Sequence, residues 1–294
     1  MIDDSPACWI CGARTWTLFK ESTLPQSVSS EDFKITDAHY GRTGRIQRCL
    51  SCGFKQCVNI DSVLGFYESL EDSAYDQGRE QRGLQARKIL EAVLPFKRGN
   101  RLLDVGAASG ILMEQAARLG FEVEGVEPSR HLAGLAVQSG LNVRLGTFPH
   151  PLVQGLYDVV TLVDVIEHVP APVQLLRDIA SHLKPEGIGV LTTPDAGSFA
   201  ARVLGERWWH FRVAHIGYFD RRSLDRALAA AGLEAVRVSR PLWYFTFDYA
   251  AERAMSYLPR VLRFSAPSVA KKWTVRLNFR DSLQVVFRRK RLHE

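Results

Sequence analysis

The chain has 294 residues, 46% of them hydrophobic, 24% charged and 10% aromatic, with a formal net charge of +6 and five cysteines. That length and apolar fraction suit an ordinary folded protein of one large and one small domain with a sizeable core. No stretch reaches the roughly 18 apolar residues that cross a bilayer, and the acidic opening MIDDSPACWI lacks the basic and apolar regions of a secretion signal, so the expected location is the cytoplasm.

The first feature along the chain is a pair of knuckles, Cys8-Trp-Ile-Cys11-Gly and Cys49-Leu-Ser-Cys52-Gly. Each can present two thiolates to one tetrahedral ion, with glycine allowing the tight turn behind the second ligand. Cys8, Cys11, Cys49 and Cys52 therefore predict one structural zinc site in a ribbon over residues 1–60. Two disulfides would need an oxidising compartment, and four inert thiols would not need paired spacing. Four thiolates close the coordination shell and leave no open catalytic position. Some sixty residues rich in Ser, Thr and Asp build little core, and zinc can contribute about 10–16 kcal/mol of apparent binding energy in its place. Cys57 is expected to be a small core residue.

Residues 61–98 read as a helical linker. Ala86, Ile89, Leu90 and Val93 recur at helical spacing, and Pro95 with Gly99 ends the pattern. Of the two tyrosines before that helix, Tyr67 is expected to pack against a neighbouring domain, and Tyr75 is the site candidate.

Arg101 to Glu127 carries the densest signal. Leu102, Leu103 and Val105 suit a strand buried on both faces, and Gly106-Ala107-Ala108-Ser109-Gly110 lets a ligand approach main chain at a helix N-terminus. Glu127 lies 21 positions after Gly106 at the end of the next strand, placed to accept hydrogen bonds from two ribose hydroxyls. Nicotinamide and S-adenosylmethionine enzymes share that logic. Asp104 separates them, because a carboxylate at the strand end repels a pyrophosphate and suits a cofactor with a free ammonium group.

The remaining elements alternate as in a doubly wound sheet. A third strand is expected at Asn142–Leu145 and a fourth at Tyr157–Val163. Val173, Leu176, Ile179, Ala180 and Leu183 form a helix face stopped by Pro185. Further strands follow at Gly187–Thr192, Leu233–Val238 and Ser282–Arg288, and Asp220 is read as the cap of the helix before Leu233.

The segments LLDVGAASG, VEGVEPS, YDVVTLVDVIEHVPAP, HLKPEGIGVLTTPD and HIGYFDRRSLDRALAAAGL, in that order, resemble the class I S-adenosylmethionine-dependent methyltransferases. The resemblance runs from Arg79 to the C-terminus. It implies an α/β fold with a doubly wound, seven-stranded Rossmann-like sheet over residues 99–294, its last strand antiparallel, with an insertion at 241–280. It also implies that Asp104, Gly106, Ala107, Ser109, Gly110, Glu127 and Pro128 hold the cofactor. The family usually has glycine where Ala108 stands, so the turn is expected to keep a backbone angle that tolerates a Cβ. The segment that often supplies an acidic residue near the adenine reads LGTFPH, which makes Thr147 the candidate there.

Catalysis is expected at the carboxyl ends of the strands. The loop after the fourth strand carries Asp164, Glu167, His168 and Pro170. Asp164 is expected to line the cofactor pocket. His168 is the candidate general base, a role worth about 10²–10⁴-fold, with Glu167 orienting it. The alternatives are that E-H-V-P only shapes the loop, or that alignment of nucleophile, methyl and sulfur suffices without a base.

Trp208, Trp209, His210 and Phe211 form an aromatic cluster near the expected crevice, either core or a platform for a ring. The insertion suits a lid over an amphiphilic acceptor, a surface that dips into lipid headgroups, or a flap on the sheet. Pro241 to Glu294 holds eleven Lys and Arg against four Asp and Glu, a net of +7 where the whole chain has +6. That tail suits a peripheral membrane contact, nucleic acid or a diphosphate-bearing substrate, or is simply a solvated face.

Ribbon, linker, HIGYF segment and late insertion, in that order, resemble the methyltransferases of bacterial sugar and polysaccharide pathways. The resemblance implies methylation of a sugar, nucleotide-sugar or glycan intermediate at oxygen or carbon. An RNA methyltransferase with a zinc ribbon is the competing reading, but residues 1–60 are nearly balanced in charge, which disfavours nucleic acid. A noncatalytic binding protein on the same fold is the other, and the intact Asp104, Gly106, Gly110 and Glu127 weigh against it.

Overall fold

The computed structural model of the protein describes residues 6–24, 33, 41–58, 60, 63–69, 71, 75–256 and 273–291. The N-terminal part holds β1 (Trp16–Lys20), β2 (Ile46–Cys49) and β3 (Lys55–Cys57), then α1 (Leu64–Glu68) and α2 (Arg79–Glu91). Strands and helices then alternate as β4 (Arg101–Val105), α3 (Ile111–Arg118), β5 (Glu122–Glu127), α4 (Arg130–Gln138), β6 (Val143–Leu145), β7 (Tyr157–Val163), α5 (Pro172–His182) and β8 (Leu183–Pro194). They are followed by α6 (Phe199–Leu204), β9 (Gly217–Tyr218), α7 (Arg221–Ala230), β10 (Leu233–Ser239), β11 (Trp243–Thr246), α8 (Phe247–Ser256), β12 (Thr274–Leu277) and β13 (Ser282–Arg289).

Seven strands form one sheet in the order β10-β13-β8-β7-β4-β5-β6. β4 to β8 run parallel, and β13 is antiparallel to both β8 and β10. This is the expected doubly wound α/β architecture, and the apolar runs explain it. A strand such as β7, buried along nearly its whole length, needs helices on both faces. On one face Ile89 and Leu90 of α2 and Leu112 and Ala116 of α3 cover Leu102, Val159 and Val190. On the other, Leu176 and Ile179 of α5 and Leu224 and Leu228 of α7 cover Leu103, Val160 and Leu191. Asp220 caps α7 in a reciprocal capping box with Ser223, as its position before the helix predicts.

The structure departs from the sequence reading at three places. α5 ends at His182 and Pro185 lies inside β8, where the pairing register with β7 slips between Tyr157 and Val159. The slip forms an irregularity that accommodates a residue without an N–H to donate. The ribbon is not an isolated module either. β9 joins β1, β2 and β3 as the fourth strand of their antiparallel sheet, with Gln56 opposite Gly217 and Lys55 opposite Tyr218. Phe54 packs on Phe219 at 4.9 Å, and both belong to the main core cluster with Cys8, Cys49 and Cys52. The core that sixty residues lack is therefore supplied largely by the larger domain. Thirdly, the insertion folds into a hairpin of β11 and β12 with α8 between them, tied to α2 by a hydrogen bond of 2.9 Å from Gln81 Nε2 to Thr274 Oγ1.

Residues 257–272, in the middle of the insertion, lie outside the described residues, and with them Arg260, Arg263, Lys271 and Lys272 of the basic tail. Within that tail, Arg288 pairs with Glu234 at 2.7 Å. Among the described residues no helix is long and apolar enough to cross a membrane.

Candidate active site

A cavity of about 1460 Å³ opens over the carboxyl ends of β4, β5, β7 and β8. Asp104 of β4 is 2% exposed and accepts a hydrogen bond from Thr161 Oγ1 of β7. Burial pushes its pKa up to about 6, against the opposing pull of the Thr161 hydroxyl. Glu127, which ends β5, is 5% exposed; its Oε2 accepts from the Ala108 N–H and its Oε1 from the Ser129 N–H, both at 2.8 Å. Burial pushes Glu127 up to about 7, those two N–H groups opposing. Two nearly buried carboxylates thus face one cavity, with no cation among their hydrogen-bond partners in the described residues.

The turn between them is built for close approach. Gly106 has φ +79°, and a Cβ there would run into Val165 of the facing loop. Ala108 does not keep the backbone angle expected for a residue with a Cβ: its φ is +47°, in the left-handed region. The physical reason is its N–H, which that conformation aims at the Glu127 carboxylate.

Asp104, Gly106, Ala107, Glu127, Pro128, Thr147 and Asp164 all line the cavity. Ser109 and Gly110 are not among its lining residues. The Ser109 hydroxyl donates to Asp76 at 2.8 Å, and Gly110 is needed where α3 closes on Leu141 and Ala136.

The other half of the cavity is a cluster of histidines and acids. Asp164, at φ +53°, leads into a single 3-10 turn over Ile166–His168, and its carboxylate accepts from Thr192 Oγ1 at 2.9 Å. Glu167 is 1% exposed, with Oε2 accepting from Thr193 Oγ1 at 3.0 Å and Oε1 without a hydrogen-bond partner among the described residues. Burial, then the neighbouring Asp164, holds Glu167 well above the usual carboxylate range. His168 donates from Nδ1 to the Ala214 carbonyl at 2.7 Å, and the Tyr67 hydroxyl lies 3.1 Å from the same nitrogen. Burial lowers its pKa to about 4, so the ring is neutral near pH 7. His215 lies edge-on to His168 with ring centres 4.8 Å apart, donates from Nδ1 to the His210 carbonyl at 2.9 Å, and is held well below the usual histidine value, chiefly by burial.

Three wall residues were not among the sequence candidates. Tyr67, expected to pack against a neighbouring domain, does so on the cavity wall, its hydroxyl against His168. Asp281 lies with Oδ2 3.2 Å from His210 Nε2; burial raises its pKa, but the His210 contact and charge leave it lowered. Its position carried a signal: β13 is antiparallel, and Ser282 pairs with Pro194 at the carboxyl end of β8. Phe279 packs on Trp209 at 5.2 Å, and both line the cavity. The aromatic cluster therefore divides. Trp208 and Phe211 are core, whereas Trp209 and His210 face the cavity. The side chain of Tyr75 lies outside what the structure describes.

Away from the cavity, the four predicted thiols converge. Cys8 and Cys52 sulfurs are 3.5 Å apart, Cys11 and Cys49 sulfurs 3.6 Å, and all four lie within 4.8 Å of one another. Thiolates at about 2.3 Å around a tetrahedral zinc stand about 3.8 Å apart, so the set suits one such ion. Cys57 is buried in the core, as expected.

A family model described as a methyltransferase domain matches residues 78–238, more than half of the chain. The protein belongs to this methyltransferase family. The match starts at the head of α2, ends in β10, and includes Asp104, Glu127, Glu167, His168 and His215. A ubiquinone biosynthesis O-methyltransferase from Cereibacter sphaeroides is 38% identical over 138 residues, which cover 44% of this chain and 56% of that protein. One from Burkholderia multivorans is 37% identical over 97 residues, 30% of this chain and 42% of that protein. The chain spans about half the length of these relatives. They belong by name to a quinone pathway, so they lend no support to the sugar-pathway resemblance.

Solved methyltransferase structures share the fold. An S-adenosylmethionine-dependent methyltransferase from Clostridium acetobutylicum aligns with a TM-score of 0.51 at 11% identity, over 74% of this chain and 97% of that one. A chain from the complex of the Haloferax volcanii Trm112 methyltransferase activator with a methyltransferase aligns at 0.54 and 18% identity, over 74% and 95%.

Proposed function

We propose that this protein is an S-adenosylmethionine-dependent O-methyltransferase whose acceptor is a hydroxyl on a small, partly apolar molecule. The observation that carries the reading is the pair of buried carboxylates, Asp104 and Glu127, on either side of the Gly106 turn in one cavity with the Glu167–His168–His215 cluster. A buried carboxylate without a cation is costly, and a ligand ammonium group at Asp104 would offset that cost. Glu127 keeps lone pairs beyond the two spent on Ala108 and Ser129, enough to accept from ribose hydroxyls. Pro128 and Thr147 follow on the adenine side, with Asp164 at the mouth of the turn. When bound, S-adenosylmethionine supplies a methyl group on a positively charged sulfur.

The chain's own residues do the rest. Trp209, Tyr244, Phe245 and Phe279 give the acceptor an apolar wall. Glu167, His168 and His215 meet its hydroxyl and assist loss of the proton, and alignment with the methyl group supplies much of the remaining acceleration. The O-methyltransferase names of the two relatives support oxygen as the acceptor atom. A sugar, nucleotide-sugar or glycan acceptor is the second reading, favoured by Arg82 and Arg212 on the cavity wall, which suit a diphosphate. Cys8, Cys11, Cys49 and Cys52 would hold a structural zinc.

Incubating the protein with methyl-labelled S-adenosylmethionine and separate panels of hydroxylated aromatic rings, nucleotide sugars, glycolipids and RNA tests the proposal. Label on a phenolic oxygen supports the first reading and label on a sugar the second. Label on RNA alone contradicts both.

A further inference from the structure

α2 turns one face to the cavity through Gln81, Arg82, Gln85, Ala86 and Ile89, spaced three and four apart. Gln85 stands four residues before Ile89 and extends the apolar stripe of Ala86, Ile89, Leu90 and Val93 by one turn, where packing alone calls for an apolar side chain. It carries an amide there instead. Gln85 is 7% exposed, and neither Nε2 nor Oε1 has a hydrogen-bond partner among the described residues. Taking both ends of an amide out of water without replacing the lost hydrogen bonds is costly, and a ligand in the cavity would offset that cost. Gln81, one turn earlier on the same side of the helix, shows the contrast: its Nε2 donates to Thr274 Oγ1 of β12 at 2.9 Å and ties α2 to the hairpin.

The surroundings put that ligand on the acceptor side. α2 packs against β11, and Trp243, Tyr244 and Phe245 of that strand line the same cavity as Gln85. At about 1460 Å³ the cavity exceeds the about 300–1,000 Å³ of one small-molecule site, which leaves room for an acceptor beside the cofactor. An amide sets a carbonyl oxygen beside an NH₂ group, so its complement is a neutral group with a donor beside an acceptor; a carboxylate would leave the Gln85 oxygen facing another acceptor. We propose that Gln85 is a specificity-determining residue that selects acceptors carrying such a neutral edge, a carboxamide being the simplest, in addition to the hydroxyl that takes the methyl group. An analogue with an apolar group in that place leaves both amide atoms unpaired and is rejected for that reason. The role in acceptor choice rests on the methyltransferase reading; the binding of the amide edge does not.

The test titrates the full chain, saturated with S-adenosylhomocysteine, with 4-hydroxybenzamide and with 4-isopropylphenol, two phenols whose substituents match in size and differ in hydrogen bonding. The expected result is one 4-hydroxybenzamide per chain, bound at least about fivefold more tightly than the isopropyl compound. The order should reverse in Gln85→Met, because methionine keeps the volume and offers only apolar surface. In that variant adenosylhomocysteine affinity should stay within twofold of the parent, and the melting temperature without ligands should rise, since the unpaired amide is gone. A glutamine that merely held the fold together would lower the melting temperature on replacement. No binding of the amide, no preference in the parent, a preference kept in Gln85→Met, a lower melting temperature or a larger loss of adenosylhomocysteine affinity overturns the proposal. If the parent binds no adenosylhomocysteine, the methyltransferase reading falls, and the same two titrations without it still decide for or against Gln85.

Discussion

Replacing Asp104 by asparagine removes a buried charge and keeps the shape of the side chain. Asp104 is 2% exposed, and its hydrogen bond from Thr161 survives the change because asparagine retains a carbonyl oxygen. Burial moves the carboxyl from an ordinary 3.8 to about 6. A folded-state pKa above the unfolded value means that ionisation destabilises the fold: the penalty is absent below the unfolded pKa, grows as pH rises, and is complete above the folded pKa. At 1.36 kcal/mol for each pKa unit, the penalty is about 3 kcal/mol at pH 7.5 and about half that at pH 5. Asparagine carries none of it. Asp104→Asn should therefore unfold at higher urea than the parent chain at pH 7.5, by up to ~3 kcal/mol, with the gain shrinking to roughly half at pH 5. Its affinity for S-adenosylhomocysteine should fall about 100-fold as the ligand's ammonium loses its counter-charge. A variant no more stable at pH 7.5, or one whose gain is the same at both pH values, would refute the claim that burial of this carboxylate is a cost awaiting a cation.

Ala108→Gly should raise thermal stability by about 0.5–1 kcal/mol, because Ala108 sits at φ +47°, where a Cβ is penalised; a lower melting temperature would show that the Cβ makes contacts outweighing the strain. Cys52→Ser should abolish a stoichiometric zinc content measured by mass spectrometry and lower the melting temperature, since Cys52 shares a core cluster with Phe54 and Phe219; full zinc retention would exclude it as a ligand. His168→Ala should slow methyl transfer by about 10²–10⁴-fold with adenosylhomocysteine affinity within twofold of the parent; an unchanged rate would remove His168 from the reaction.

The wall that carries Asp104, Gly106 and Glu127 was largely legible in the sequence because its signals are local. The apolar run Tyr157–Val163 is a strand with those same ends, and Asp220 caps its helix. Asp104, Gly106 and Glu127 are brought to one wall by two parallel neighbours in register, Asp104 opposite Gly125 and Val105 opposite Val126. The wall that carries His168 and His215 was less legible because it is assembled from distant segments. His168 meets Tyr67 from 101 residues earlier and the Ala214 carbonyl from 46 later. A two-residue strand such as Gly217–Tyr218 carries no periodicity, so its pairing with Lys55 and Gln56 could be found only in three dimensions. Ser109, a plausible ligand in a glycine-rich turn, spends its hydroxyl on Asp76, a partner that no local rule names.

In the proposed function, Asp104 and Glu127 grip one nucleoside-bearing molecule. Isothermal titration of the protein with S-adenosylhomocysteine, alongside Glu127→Gln, tests this directly. Hydrogen bonds to a charged acceptor are worth about 1.5–3 kcal/mol and neutral ones about 1, so losing the charge from two of them predicts one binding event per chain weakened by about 5-fold to several hundred-fold in the variant. Absence of heat with the parent chain, or equal affinity in the two proteins, would contradict it.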